Sequence, residues 1–351
     1  LAEQLVDVAG GEEALAAVQV ADRRLVVDEQ IVAVQDREVV LRDVVAGSPP
    51  PPAPASAPAA GFAYEQAFAR NLGWVTPAEQ AALRGKRIAI AGLGGVGGVH
   101  LLTLARLGVG AFSIADFDRF DWPNFNRQVG ATVDTVGLPK IDVLAEMARA
   151  INPQVELRLF PQGVNPDNID AFLGGVDAYV DGLDFFAFAA RELTFARCAA
   201  LGVPAITVAP LGMGAALLNF IPGKMSFEDY FGVAGRSADE KTVRLLVGLS
   251  PALLQRGYLV DPSFVDFARQ AGPSTPMACQ MCAGIAATEA LKILLGRGEV
   301  LAAPWGVHYD AYRNTVKRTW RPGGWRNPVQ RLAAALARRH LQRGRPSGLS
   351  R

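Results

Sequence analysis

Gly92-Leu-Gly94-Gly95-Val-Gly97 stands between two apolar stretches, and Asp116 follows Gly92 by 24 residues. Glycines so spaced let backbone N–H groups approach a phosphate that a Cβ would hold away. A helix opening at the same point adds unpaired N–H donors and a partial positive charge. An acid closing the next strand can accept hydrogen bonds from ribose hydroxyls. Such a site takes a nucleotide without deciding between NAD, FAD and ATP, and the same glycines can serve nothing more than close helix–strand packing.

A second group of residues bears on that choice. Asp116-Phe-Asp118 is followed by Asn124-Phe-Asn126-Arg127-Gln128, then by Gly137-Leu-Pro-Lys140, and later by Asp181-Gly-Leu-Asp184. Hydride transfer leaves a dinucleotide's pyrophosphate intact and has no need of Arg and Lys beside it. Attack of a carboxylate on the α-phosphate of ATP does need them. Like charges meet on approach, and the departing pyrophosphate gathers negative charge, so cations and Mg²⁺ must neutralise both. Arg127 and Lys140 can supply that charge, and Asp184 can hold the metal at the carboxyl end of a strand. Plainer readings stand beside these: Arg127 and Lys140 as solvated surface charges, Asp118 and Asp121 as turn formers, Asp181 as a cap.

The elements that must position these residues follow from the apolar pattern. Short apolar runs over 87–91, 112–116, 155–160, 178–182 and 205–209 read as strands, and 99–107, 140–151 and 187–200 as helices between them. This alternation predicts an α/β fold, a Rossmann-like doubly wound and mostly parallel sheet with helices on both faces. Thr76-Pro77-Ala78-Glu79 is a capping-box start for a preceding helix. The long uncharged run over 201–223 contains Pro204, Pro210 and Pro222, which would break a lipid-facing helix, so it reads as a buried strand followed by a loop. A helical insertion is expected over about 225–276, an apolar helix over 284–295 and a final strand over 305–309.

At these residues the sequence resembles the ThiF/MoeB/ubiquitin-activating superfamily of adenylyltransferases, over about residues 64 to 310. The resemblance rests on the glycine turn, Asp116, the Asn-x-Asn-Arg-Gln run, Lys140 thirteen residues after Arg127, Asp184, and the run Gly284-Ile-Ala-Ala-Thr-Glu-Ala-Leu-Lys-Ile-Leu-Leu-Gly296. It implies ATP and Mg²⁺, with Asp116 on the ribose, Asn124 and Arg127 on the phosphates, Lys140 on the α-phosphate and Asp184 on the metal. Gly92, Gly94, Gly95, Gly97, Asn126 and Gln128 complete the nucleotide site. It also implies a homodimer in which an Arg ahead of the first strand reaches the partner's ATP, and Arg70 is the best match. The implied reaction activates a carboxylate as an acyl-adenylate and releases pyrophosphate. The substrate would be the C-terminal glycine of a ubiquitin-like or sulfur-carrier protein. The alternative within the superfamily is a tRNA threonylcarbamoyladenosine dehydratase-like enzyme, for which the basic tail would suit tRNA; an NAD- or FAD-dependent oxidoreductase is the reading outside it.

The cysteines depart from that pattern. Many relatives carry two Cys-x-x-Cys pairs around zinc, whereas this chain has Cys198 and one pair, Cys279 and Cys282, so a structural zinc is not expected. Cys198 lies among apolar residues and reads as an inert buried thiol. Cys279 and Cys282 stand just before the apolar helix, where its dipole would favour thiolate, which makes them candidates for an acyl or sulfur acceptor; packing of small residues is the plainer alternative.

The 351 residues divide by composition into a small N-terminal module over 1–47, a Pro/Ala-rich linker over 48–61, an adenylation domain over 62–312 and a basic tail over 313–351. Half the residues are apolar, which excludes general disorder, and 35 Lys and Arg against 34 Asp and Glu exclude bulk attraction to nucleic acid or membrane. The tail differs, with eleven Lys or Arg and no acid. Few cysteines and no basic-then-apolar leader point to a cytoplasmic location, and Leu1 in place of Met points to a processed or trimmed chain or to one read from an unusual start.

Overall fold

The computed structural model describes residues 61–266, 269 and 272–343. The N-terminal module over 1–47 and the linker over 48–61, Gly61 apart, lie outside the described residues. In chain order the elements are α1 (Tyr64–Ala67), α2 (Pro77–Arg84), β1 (Arg87–Ala91), α3 (Gly97–Arg106), β2 (Ala111–Ala115), α4 (Lys140–Ile151), β3 (Glu156–Phe160), α5 (Ile169–Leu173), β4 (Ala178–Asp181), α6 (Phe188–Leu201), β5 (Ala205–Leu211), β6 (Gly214–Phe220), α7 (Phe227–Phe231), α8 (Ala238–Leu249), α9 (Pro276–Leu295), β7 (Trp305–Asp310), β8 (Thr315–Trp320) and α10 (Pro328–Arg343). The predicted capping box opens α2: Thr76 Oγ1 accepts from the Glu79 N–H at 3.2 Å and the Glu79 carboxylate accepts from the Thr76 N–H at 2.7 Å.

One eight-stranded sheet runs in the order β3-β2-β1-β4-β5-β6-β7-β8. The first five strands pair in parallel and the last three antiparallel. Ile88 and Ile90 of β1 point to one face, where Leu101 and Leu104 of α3, Leu144 of α4 and Ala283 and Ala286 of α9 close the core. Ala89 and Ala91 point to the other, where Phe172 of α5, Phe195 of α6, Tyr230 and Phe231 of α7 and Leu245 of α8 pack. Each fully buried large apolar side chain contributes about 1.5–3 kcal/mol, so the two cores hold the sheet between two helical layers.

Three expectations are corrected. The run over 201–223 is not a strand and a loop but the hairpin β5–β6, turned at Gly212 with φ +61. Every residue of β6 is buried, so no alternation marked it as a strand. The sheet also continues beyond 312, since β8 pairs with β7 inside the segment read as a basic tail. Finally, α9 begins at Pro276 rather than 284, because Thr275 caps it and Pro276 suits its first position. This helix is long and apolar enough to cross a membrane by composition, and half of its most apolar stretch is buried inside this fold. The insertion over 225–276 is helical as expected, with α7, α8 and 3₁₀ turns at Leu254–Tyr258 and Pro262–Phe264.

Candidate active site

Strands β1 and β4 are neighbours, but β1 leads to α3 on one face and β4 to α6 on the other. The chain therefore parts at their carboxyl ends and leaves a crevice, the place where open α/β sheets bind ligands. The glycine turn leaves β1 on one side of it, and Asp181-Gly182-Leu183-Asp184 leaves β4 on the other. The strand order brings these two segments together in space.

The glycines divide into two jobs. Gly92 has φ +81, and a Cβ there would overlap the Gly182 carbonyl, while a Cβ on Gly97 would overlap the carbonyl of Gly92. Gly92, Gly97 and Gly182 thus let three backbones cross. Gly182 was not singled out from sequence, though it follows an apolar strand directly. Gly94 and Gly95 make no such crossing: a Cβ on Gly94 would lie 3.7 Å from Gln128 Nε2, and one on Gly95 3.2 Å from Cys279 Sγ and 3.5 Å from the stem of Arg127. No side chain caps α3. Its first-turn donors and positive end therefore face the crevice, an arrangement suited to phosphate.

Asp116 is buried and braces this turn, its carboxylate accepting from Leu93 N–H at 2.6 Å and Asp118 N–H at 2.7 Å. Burial raises its pKa, against the lowering effect of those two donors and of Lys140. Lys140, at the start of α4, is buried as well, and its Nζ lies 3.1 Å from the half-exposed carboxylate of Asp118. Asp118 is thus more than a turn former. Arg127 is half-buried, and its Nη1 donates to Pro123 O at 2.9 Å and to Asn126 Oδ1 at 3.0 Å. Asn126 in turn donates to Ser274 O at 2.9 Å, tying this loop to the segment ahead of α9. Asn124 caps the 3₁₀ turn Trp122–Asn124 by accepting from Asp121 N–H at 3.0 Å. Gln128 is buried, and its Oε1 has no hydrogen-bond partner among the described residues.

Across the crevice, Asp181 is buried and fully engaged. Its carboxylate accepts from Tyr179 OH at 3.2 Å, Leu183 N–H at 3.2 Å, Thr207 Oγ1 at 2.9 Å and Arg191 Nε at 3.0 Å. It is therefore the hub of a network rather than a cap. Asp184, three residues on, is exposed and accepts from Phe186 N–H at 2.9 Å. Among the described residues no three His, Cys, Asp or Glu side chains gather as a metal cage. Mg²⁺ that arrives on a triphosphate takes most of its ligands from phosphates and water and needs one or two carboxylates, so a single exposed acid at this edge fits it. Phe185, Phe186 and Phe188 pack edge to face beside Asp184, with ring centroids 5.0–6.4 Å apart.

Two predicted participants stand differently. Cys279 and Cys282 lie within α9 rather than ahead of it, both buried, and burial raises both thiol pKa values. The expected thiolate stabilisation is therefore corrected: desolvation outweighs the helix end. Cys279 nonetheless sits against Gly95, whereas Cys282 packs into the core. Arg70 is exposed in a 3₁₀ turn and lines a surface hollow with Arg106, Ala150 and Ile151, at the carboxyl ends of α3 and α4. Those ends lie opposite the crevice, so Arg70 does not join the site of its own chain. Cys198 is an inert thiol, its pKa pushed up to about 12 by burial. His100, on α3, is fully buried, neither ring nitrogen has a hydrogen-bond partner among the described residues, and burial holds its pKa down to about 4.

Comparison with known proteins agrees with this architecture. A tRNA threonylcarbamoyladenosine dehydratase of Haemophilus influenzae is 34% identical over 122 residues, covering 34% of this chain and 47% of its own length. A sulfur carrier protein ThiS adenylyltransferase of Escherichia coli is 31% identical over 143 residues, 41% of this chain and 56% of its own. The chain thus spans about half the length of each of these two curated relatives. The crystal structure of PaaA superposes with a TM-score of 0.55 at 17% identity, covering 89% of this chain and 88% of that one, which shows a shared fold. The ThiF family model matches residues 68–327, across the crevice and all eight strands, and the chain belongs to the ThiF family.

Proposed function

We propose that this chain is an ATP-dependent adenylyltransferase that activates a carboxylate, the C-terminal glycine of a ubiquitin-like or sulfur-carrier protein. The observation that carries the reading is the gathering of the glycine turn, Asp116, Arg127, Lys140 and Asp184 at one crevice from both sides of the sheet's switch point. The relative named as a ThiS adenylyltransferase supports it. In the reaction, a carboxylate oxygen attacks the α-phosphorus of ATP, the bond to the bridging oxygen breaks, and pyrophosphate leaves with the electron pair. Asp116 orients the ribose. The open end of α3 with Gly94 and Gly95 cradles phosphate, and Arg127 and Lys140 oppose the charge that grows on the leaving group. Asp184 would hold Mg²⁺, which when bound would supply Lewis-acid neutralisation of the phosphates. Arg70 serves the crevice of a partner copy in a homodimer.

The test is ATP–pyrophosphate exchange with candidate carrier proteins. Exchange should depend on a carrier with a free C-terminal carboxylate and fall by about 10²–10³-fold in Arg127→Ala. Undiminished exchange in that variant would refute the proposal. A second reading, a tRNA threonylcarbamoyladenosine dehydratase-like activity, draws on the Haemophilus influenzae relative and on the basic surplus beyond residue 313. Salt-sensitive tRNA binding together with carrier-independent exchange would favour it.

A further inference from the structure

Arg191 lies in the first turn of α6 and is buried to 6% exposure. Its Nε binds Asp181 Oδ2 at 3.0 Å, its Nη2 donates to Leu183 O at 2.7 Å and its Nη1 donates to Phe185 O at 3.1 Å. Asp181 holds the same segment from below, through Leu183 N–H and through its own bonds to Thr207 and Tyr179. Residues 181–185 are therefore gripped at three points by one ion pair, and Asp184 sits between two of them. We infer that Arg191 is a positioning residue that fixes the loop bearing Asp184, so that its carboxylate meets the metal without first ordering the chain. This rests on the reading of Asp184 as the metal-holding acid.

The geometry separates this role from simple charge pairing. Neutralising Asp181 takes one cation of any shape, and a buried ion pair by itself gains little net stability because both charges lose water. Two of the three bonds of Arg191 go instead to loop carbonyls on either side of Asp184. Only a planar fork with several fixed donors reaches both carbonyls while keeping the carboxylate, and the single point charge of Lys cannot. Partners that orient a metal-binding carboxylate typically change metal affinity by about 10–100-fold when removed.

The experiment uses the full chain and calorimetric titration of ATP at graded Mg²⁺. In Arg191→Lys the Mg²⁺ needed for half of the metal-dependent gain in ATP binding should rise about tenfold. Binding of ATP in EDTA should stay unchanged, which a general loss of structure would not allow. A folded Arg191→Lys protein with the wild-type Mg²⁺ response overturns the inference. Should Arg191→Lys not fold, the double variant Asp181→Asn, Arg191→Gln removes the fork without stranding a buried charge and is read in the same way. Asp184→Asn is run alongside. If it abolishes the Mg²⁺ response while Arg191→Lys does not alter it, the inference alone fails. If Asp184→Asn keeps the wild-type response, the reading of Asp184 fails and takes the inference with it.

Discussion

Two ion pairs flank the floor of the crevice, and they are built in opposite ways. On the β4 side, Arg191 and Asp181 have side chains 8% and 3% exposed and share a network with Tyr179, Leu183, Phe185 and Thr207. On the β2 side, Lys140 is 6% exposed while its partner Asp118 is 54% exposed. The closed pair cannot lose a member without leaving a charge in a dry place. The open pair can lose Asp118 at less cost, because that carboxylate is half in water already and Lys140 would keep the charge of Asp116 beside it. The contrast fits the first pair to holding the site in shape and, under the proposed reaction, the second to meeting the substrate, although both are a cation and a carboxylate about 3 Å apart.

The most severe way to probe the contrast is Asp181→Ala, which strands Arg191. It should destabilise the fold by about 3–5 kcal/mol in chemical denaturation. A loss under about 1 kcal/mol would mean that the two pairs do not differ after all.

His100, which feels the field of Asp181, sharpens the comparison through pH. Its folded pKa of about 4 lies below the ordinary 6.5, so the unfolded chain takes up the proton first. Its contribution to stability is present above pH 6.5 and is lost as pH falls toward 4. The full loss is about 3 kcal/mol. His100→Leu should remove that slope from denaturation midpoints measured across the window, and an unchanged slope would place the titration elsewhere.

The smallest expected effect is that of Asp118→Asn. Asn can still accept a hydrogen bond from Lys140, and the Asp116 charge still acts on that Lys, so the stability loss should stay well below that of Asp181→Ala by the same denaturation measurement. A loss comparable to that of Asp181→Ala would close the supposedly open pair.

The crevice was largely legible in the sequence because its parts are local. Glycines at fixed offsets after an apolar strand, an acid at the end of the next strand and a polar run with Arg127 each signal through their neighbours in the chain. What stayed hidden depends on distant contacts. Gly182 is required because Gly92 and Gly97 cross over it, Lys140 is held by Asp118 at 22 residues' remove, and Cys279 lost its expected thiolate stabilisation because burial in the core desolvates it. The strand β6 left no alternating pattern because both of its faces are covered.

Side-chain type and short-range periodicity determined that this chain would form a doubly wound sheet carrying a tight glycine turn, since backbone geometry and apolar spacing act within a few residues. Which cation holds the frame and which faces the ligand was decided only on folding. Burial on one side or both is a property of packed surfaces, and no stretch of sequence carries it.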